Sequence, residues 1–191
     1  MRSILFTVVA TLIAFSIIAH NGPQHGGEVD LTASTVEWEG KTVAGKHNGT
    51  IAIKSAALNF KNHKLSGGKI VMDMTSITCS DLPQGPGQNL IGHLNSGDFF
   101  ETEAHPTATL DITGATAGTD NNYTIQGDLT IKGITKPITF DAIVTAKNAK
   151  AEIMIDRTMY DIKYGSGSFF KGLGDKAINN EFKLNVNLVM K

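Results

Sequence analysis

The chain has 191 residues, of which 41% are hydrophobic and 18% charged, and this composition suits one soluble domain with a sizeable core. Its formal net charge is −1, so the composition gives no reason to expect a nucleic-acid partner. Cys79 is the only cysteine, which excludes an intrachain disulfide and leaves the fold dependent on its core.

The N-terminus has the pattern of an export signal. Arg2 is followed by an uncharged apolar run from Ser3 to Ala19, which predicts a secretory signal peptide over residues 1–19. An uncleaved membrane anchor is the alternative, because the run is only slightly shorter than the ~20 residues of a spanning helix. No cysteine follows the run, so lipidation there is not expected. We therefore expect residues 20–191 to form one periplasmic or secreted domain.

Alternating apolar residues predict several strands in the first part of this domain. A flexible lead-in at 21–27 precedes them, and the pair Gly67 and Gly68 separates the last of them from the one before. The apolar parity slips between Ile53 and Leu58, which indicates a bend, bulge or tight turn. These strands begin at Val36 and continue at 49–54, 57–61 and 70–74.

One short helix is predicted, between 88 and 94. Leu90, Ile91 and Leu94 fall on one side of it, so it should lie over an end of the sheet. The preceding segment 79–87, CSDLPQGPG, is too rich in proline and glycine to predict either strand or helix.

Strict alternation resumes after the helix and continues to the C-terminus. The stretch 127–140 contains two half-buried strands joined by a short turned connection at Gly133 and Pro137. About eight or nine strands without βαβ spacing predict an all-β fold, and we expect an extended antiparallel barrel of about eight strands with one short helix. The strands of this half lie at 107–112, 123–131, 138–145, 151–156 and 181–190.

The segment 127–137, GDLTIKGITKP, closely resembles the G-x-L-T-[IL]-x-G-[VI]-T-[KR]-P segment of the YceI-like family. Members of that family are exported bacterial proteins with a lipocalin-like barrel that bind polyisoprenoid lipids. Other family patterns follow in the right order, so the resemblance runs from about Asp30 to the C-terminus. They are Trp38, the G-x-H-x-G at 45–49, the strand at 68–77, HLNSGDFF at 93–100, HPTAT at 105–109 and IDR at 155–157.

The resemblance implies a lipocalin-like barrel that binds, stores or transports an isoprenoid lipid, of quinone or polyprenol type, outside the cytoplasm. It also implies a homodimer, with no cofactor besides the bound lipid and with the membrane only as the source of that lipid. The chain departs from the family at 158–162 and in a longer, exposed loop at 166–174, SGSFFKGLG. If that loop caps the barrel, ligand preference should differ.

A long lipid tail needs a continuous apolar channel, because hydrocarbon burial contributes roughly 0.8 kcal/mol per methylene. For each inward apolar residue, ordinary core packing is the alternative role. Phe99 and Phe100 would form either a lid over the channel or a plug that anchors the helix. The predicted lining residues are Ile70, Met72, Met74, Leu110, Ile112, Leu129, Ile131, Phe140, Ile153 and Ile155, with Phe99 and Phe100 at the mouth.

The polar candidates are few. Arg157 could orient a lipid head group through its forked donors, or make a structural pairing inside the barrel. The alternative to a carrier is a barrel enzyme acting on an amphipathic substrate, with Asp156, Arg157 or His93 as acid-base groups. Such an enzyme should show titratable groups converging in the cavity, whereas a carrier should show an apolar interior. No histidine pair has metal-ligand spacing and there is no G-x-S-x-G, so neither a metal site nor a catalytic nucleophile is predicted.

Overall fold

The structure is a computed structural model that describes residues 24–191, so the predicted signal peptide at 1–19 lies outside the described residues. Within 24–191 there is one α-helix, α1 (Gln84–Asn95), and no helix long and apolar enough to span a bilayer. Short 3-10 turns occupy Met74–Ser76, Arg157–Tyr160 and Gly174–Lys176. The strands are β1 (Gln24–Thr42), β2 (Lys46–Thr50), β3 (Ala52–Lys61), β4 (Lys64–Asp73), β5 (Thr107–Ala117), β6 (Asn122–Ile131), β7 (Ile134–Val144), β8 (Asn148–Asp156) and β9 (Ile178–Met190).

Eight strands close into an antiparallel barrel, and β2 lies outside it. The barrel order is β1-β3-β4-β5-β6-β7-β8-β9, and β1 pairs with β9 to complete the circle. β2 pairs only with the last part of β1, through Glu37–Lys41. Closure removes the sheet edges that an open sheet would expose. The predicted barrel of about eight strands with one helix is therefore confirmed.

Buried side chains form two clusters along the barrel. One surrounds Met74, Leu94 and Tyr160, at the end where α1 and the turn Arg157–Tyr160 lie, which we call the helix end. The other surrounds Leu58 and Ile125 toward the opposite end. The core is therefore spread along the barrel, and Phe140, Ala151 and Val186 pack against both clusters.

The parity slip predicted between Ile53 and Leu58 is confirmed as a register shift. Ile53 pairs with Met72, but Ser55 pairs with Val71, so one residue of β3 is left without an opposite partner. Such a bulge returns the following apolar residues to the inner face and bends the strand, as closure of a barrel requires.

Two predictions about the first strands are wrong. β1 begins at Gln24 rather than near Val36, because the glycine-rich lead-in pairs with β3, with Gly26 opposite Asn59. Gly67 and Gly68 do not precede a strand but lie inside β4. Gly68 has a φ of 155°, and a Cβ there would lie 2.6 Å from the carbonyl oxygen of Ala57 in β3. Only glycine therefore lets β4 approach β3 this closely at that position.

The prediction that the segment 79–87 contains no helix is also wrong, since α1 begins within it at Gln84. Pro86 lies in the first turn of the helix, where backbone N–H groups have no acceptor within the helix. Its missing N–H therefore removes no helical hydrogen bond, and its fixed φ suits the helix. The helix is consequently one turn longer than the apolar spacing alone predicted.

The connection between β6 and β7 is shorter than predicted. Lys132 and Gly133, with φ of 50° and 72°, form a two-residue turn, and Pro137 already lies in β7 opposite Asp128. In the described residues β7 pairs with β8 only through 142–144. Pro137 therefore lies where its strand has one paired edge, which tolerates a residue without an N–H.

Candidate ligand-binding cavity

The barrel encloses an elongated apolar cavity. Its volume is about 120 Å³. In the described residues every atom that faces this space is apolar. The cavity can therefore solvate hydrocarbon.

Strand alternation produces this wall. In β6, Ile125, Leu129 and Ile131 are buried on the inner face, while Asp128 is exposed on the outer face. Leu129 pairs across the ladder with Leu110 of β5, so neighbouring strands present apolar side chains at the same height. Side chains alternate between the two faces of a strand, so apolar residues at every second position make one whole face apolar.

The structure places eleven of the twelve predicted lining residues on the cavity wall. They come from strands β4 to β8 and the segments that follow β4 and α1. Whether they contact a lipid stays a prediction. The eleven are Ile70, Met72, Met74, Phe100, Leu110, Ile112, Leu129, Ile131, Phe140, Ile153 and Ile155.

Phe99 is the twelfth, and it does not line the cavity. Its ring is 7% exposed and meets His93 edge-on, with the centroids 5.0 Å apart. Phe100 lies on the wall and makes a T-shaped contact with Phe182, at 6.2 Å. Phe100 therefore bounds the helix end of the cavity, whereas Phe99 packs behind it against α1.

Sequence reasoning missed much of the remaining wall. β9 alternates as strictly as β6, so its inward residues could have been found by the same rule. The inward residues of β1 and β3 lie near bulges, which break the period. The wall residues missed include Val36, Ile51, Leu58, Leu65, Ile125, Ile138, Phe182, Leu184, Val186 and Leu188.

Arg157 is buried, with 3% of its surface exposed, and does not lie on the cavity wall. It donates from Nη1 to the carbonyl of Ile162 at 2.7 Å, from Nε to Asn179 at 2.9 Å and from Nη2 to Ile178 at 3.1 Å. Burial lowers the pKa of the guanidinium. These bonds join the turn after β8 to the start of β9, and a contact between Arg157 and a lipid head group stays a prediction.

The three acid-base candidates do not converge inside the barrel. Asp156 Oδ1 accepts bonds from the backbone N–H and hydroxyl of Thr158, at 2.8 and 2.6 Å, and so caps the turn that follows β8. His93 lies outside the wall, with Nε2 3.7 Å from a carboxylate oxygen of Asp98. Lys136 follows the inward parity of β7 and is half-buried, but it is not on the wall either, and Thr109 and Lys150, which do border the cavity, expose no polar atom to it. No group of three metal-ligating side chains occurs in residues 24–191.

His47 belongs to β2, outside the barrel. Its Nδ1 lies 2.8 Å from Oδ2 of Asp81, whose Oδ1 accepts the backbone N–H of Asn48 at 3.1 Å. Burial raises the pKa of Asp81, but hydrogen bonds from Asn48, His47 and Cys79 outweigh it and lower the pKa to about 2. The carboxylate is therefore ionised at neutral pH and ties β2 to the connection before α1.

We predict that His47→Asn leaves the ligand content of the purified protein unchanged. The imidazole is 39% exposed and its partner carboxylate 31% exposed, so the pair should contribute no more than about 1 kcal/mol to stability. Lipid extraction and urea denaturation of the variant check both expectations. A folded variant without ligand would promote His47 to a binding residue.

A family model described as YceI-like domain matches residues 28–190. Among curated proteins, a UPF0312 protein of Azotobacter vinelandii is 38% identical over 50 residues, and Protein YceI of Escherichia coli O157:H7 is 44% identical over 50 residues. Each match spans 26% of this chain and 26% of the relative, so it covers about a quarter of the relative's length.

Solved structures share the fold at low sequence identity. BcnA of Burkholderia cenocepacia superposes with a TM-score of 0.72 and 22% identity, over 86% of this chain and 100% of that chain. A polyisoprenoid binding domain from Saccharophagus degradans, implicated in plant cell wall breakdown, gives a TM-score of 0.61 and 13% identity, over 87% and 97% of the two chains. At these identities the likeness extends to the barrel architecture alone.

Proposed function

This chain belongs to the YceI-like domain family, and we propose that it binds, stores or transports an isoprenoid lipid of quinone or polyprenol type outside the cytoplasm. The observation that carries the proposal is the wholly apolar wall of the barrel cavity. The polyisoprenoid binding domain from Saccharophagus degradans, which shares the barrel, adds support. The extracytoplasmic location rests on the predicted signal peptide at 1–19.

Hydrocarbon burial supplies the binding energy in this proposal. A tail of ~40 carbons at roughly 0.8 kcal/mol per methylene gives a sum near 30 kcal/mol. That sum exceeds the practical ceiling of about 18 to 21 kcal/mol for non-covalent affinity, so ordering of the chain and widening of the cavity must offset much of it. Tight binding and slow release are still expected.

The cavity also limits the head group. A charged head group would need a partner inside the barrel, because an unpaired charge in an apolar site is strongly disfavoured. The described wall offers no polar atom. A neutral quinone ring or a polyprenol hydroxyl at one end of the tail meets this condition, whereas a fully enclosed fatty-acid carboxylate does not.

A binding protein fits the geometry better than an enzyme. Asp156 and Arg157 are engaged by neighbouring hydrogen bonds, and His93 packs between aromatic rings outside the wall. Acid-base catalysis needs a titratable group within hydrogen-bond reach of the reacting atom. A substrate held in the cavity would not meet these three side chains in the arrangement that the structure shows.

We predict that the protein purified from its native host carries lipid. Organic extraction followed by mass spectrometry should yield a quinone or polyprenol in substoichiometric to equal amount, because burial of a long tail makes release slow. Leu129→Asn or Ile131→Asn should lower the bound amount, since an unpartnered amide on the wall costs about 1–3 kcal/mol. Asp128→Asn, on the exposed face of the same strand, is the matched control and should not.

Lys132, just after the end of the same strand, does not give a suitable control variant. Its Nζ donates to the carbonyl of Gly97 at 2.9 Å and only 13% of its side chain is exposed. Because the asparagine variants also threaten the core, Ala151→Phe is a second test that fills cavity space without adding a polar atom. A native-source protein that extracts clean, or an Ala151→Phe variant that is folded and still fully loaded, contradicts the proposal.

A further inference from the structure

The connection from the turn Arg157–Tyr160 to β9 exposes large aromatic side chains. Phe169 and Phe170 are 51% and 50% exposed, and Tyr164 is 45% exposed. Because β8 ends at Asp156 and β9 begins at Ile178, these rings lie at the helix end of the barrel, where Phe100 bounds the cavity. We call residues 163–177 the aromatic loop.

Hydrogen bonds hold the aromatic loop in this shape. Ser166 is 0% exposed, and its carbonyl accepts the backbone N–H groups of Phe169 and Phe170 at 3.1 and 2.9 Å. Its hydroxyl donates to Oδ1 of Asn180 at 2.6 Å, and Nδ2 of Asn180 donates to Ser168 at 2.9 Å. A hydrogen-bonded turn therefore holds the two phenyl rings in solvent. Apolar side chains exposed together in this way are typical of an interaction surface.

Basic residues lie close in sequence to the exposed rings. The aromatic loop contains three lysines and one aspartate, a net charge of 3 − 1 = +2, although the whole chain has a net charge of −1. Lys163 places Nζ 5.3 Å from the ring of Phe169, and it also pairs with Asp161 at 2.6 Å. Exposed aromatic rings with lysines beside them are the pattern of a segment that lies at a membrane interface, with the lysines attracted to anionic head groups.

A series of ring contacts leads from the loop to the cavity. Tyr164 meets His93 and Phe99, with centroids 4.4 and 5.9 Å apart, and Phe99 lies 6.3 Å from Phe100. Phe100 is part of the cavity wall. Packed aromatic rings therefore connect the aromatic loop to the end of the cavity.

We propose that the aromatic loop docks the helix end of the barrel onto an anionic lipid bilayer. Phe169 and Phe170 enter the interface, and Lys171 and Lys176 contact anionic head groups. Docking would let a hydrocarbon tail pass between the bilayer and the cavity without crossing water, which strongly disfavours exposed hydrocarbon. The cargo in this inference rests on the proposed function, but membrane binding itself can be measured without it.

Vesicle co-sedimentation of the soluble protein lacking residues 1–19 tests the inference, because that form carries no N-terminal apolar run. The protein should sediment with vesicles of phosphatidylcholine and phosphatidylglycerol in equal parts, and less with phosphatidylcholine alone. Phe169→Ser with Phe170→Ser should weaken partition by about tenfold or more, because two half-exposed rings no longer enter the interface. Lys171→Ser should weaken it by about fivefold on the anionic vesicles only.

The matched control replaces exposed apolar residues elsewhere on the barrel, Ile143→Ser with Leu31→Ser, whose side chains are 49% and 38% exposed. It should leave partition unchanged. Equal binding by control and loop variants, or no binding by the parent protein, overturns the inference. So does a loop variant that only converts a dimer into a monomer in sedimentation analysis, because a second copy would then cover the rings.

Lipid extraction of the same samples separates this inference from the proposed function. A parent protein that binds vesicles but never contains lipid supports docking and contradicts the carrier. A protein that contains lipid but does not bind vesicles supports the carrier and overturns docking.

Discussion

Replacing Gly49 with alanine is expected to lower the free energy of unfolding by about 3 kcal/mol, because the new methyl group has no room. A Cβ at Gly49 would overlap the carbonyl oxygen of Thr78 and lie 2.8 Å from Nε1 of Trp38. That indole N–H donates to the same Thr78 carbonyl at 2.9 Å. The substitution therefore adds a backbone clash and breaks the bond that satisfies a buried indole. Urea denaturation of the purified variant measures the effect.

Gly45 is the matched control, since it is the other glycine of the G-x-H-x-G pattern. No atom lies within 4 Å of a Cβ built there, and the residue is exposed. Gly45→Ala should be neutral or stabilise by up to about 1 kcal/mol, through the entropy of the unfolded chain. Equal stability of the Gly45 and Gly49 variants would show that close packing does not require glycine at position 49.

This packing explains why the motif could be located in the sequence but not understood from it. The sequence analysis identifies Trp38 and the G-x-H-x-G at 45–49 only as family patterns. The carbonyl that Gly49 accommodates belongs to Thr78, which follows it by 29 residues and is placed by a separate connection. Contacts of that range have no local signature, so only the structure identifies the partner.

The barrel itself was predictable because alternation is local. In β6 and β9 the inner face is apolar at every second position, and both strands were found with nearly their observed bounds. The failures lie where tertiary pairing overrides composition. The glycine-rich start of β1 is a strand because β3 offers it a partner, and Gln84 begins α1 although proline and glycine follow.

The candidate site likewise has a part that the sequence predicts and a part that it does not. An apolar wall follows from strand parity, so eleven of the twelve proposed lining residues lie on it. Phe99 does not, because parity says nothing about a segment after a helix, where one ring faces the cavity and its neighbour faces α1. The exposed rings of Phe169 and Phe170 could be read from the sequence only as a loop, since their orientation depends on Ser166 and Asn180.

Arg157→Ala is expected to lower the free energy of unfolding by about 3–5 kcal/mol, more than any other substitution considered. The reason is that it leaves buried polar groups without hydrogen-bond partners. The guanidinium satisfies the carbonyl oxygens of Ile162, Ile178 and Asn179, and its Cζ lies 5.6 Å from the centroid of Phe99. Without it the turn after β8 loses its attachment to β9. Urea denaturation should report the loss, and Lys183→Ala, which breaks only an exposed pair with Glu152, should cost about 1 kcal/mol or less.

Arg157→Lys distinguishes a structural arginine from one that binds a head group. Lysine keeps the positive charge but lacks the planar guanidinium group. Its ammonium can therefore donate to only some of the three backbone carbonyls. In the structural role the variant is less stable by an intermediate amount, and each folded molecule still carries as much lipid as the parent. If Arg157 instead bound the head group, the variant would remain nearly as stable as the parent but lose its lipid. Denaturation and lipid extraction on one preparation decide between these outcomes, because the two roles move the two measurements in opposite ways.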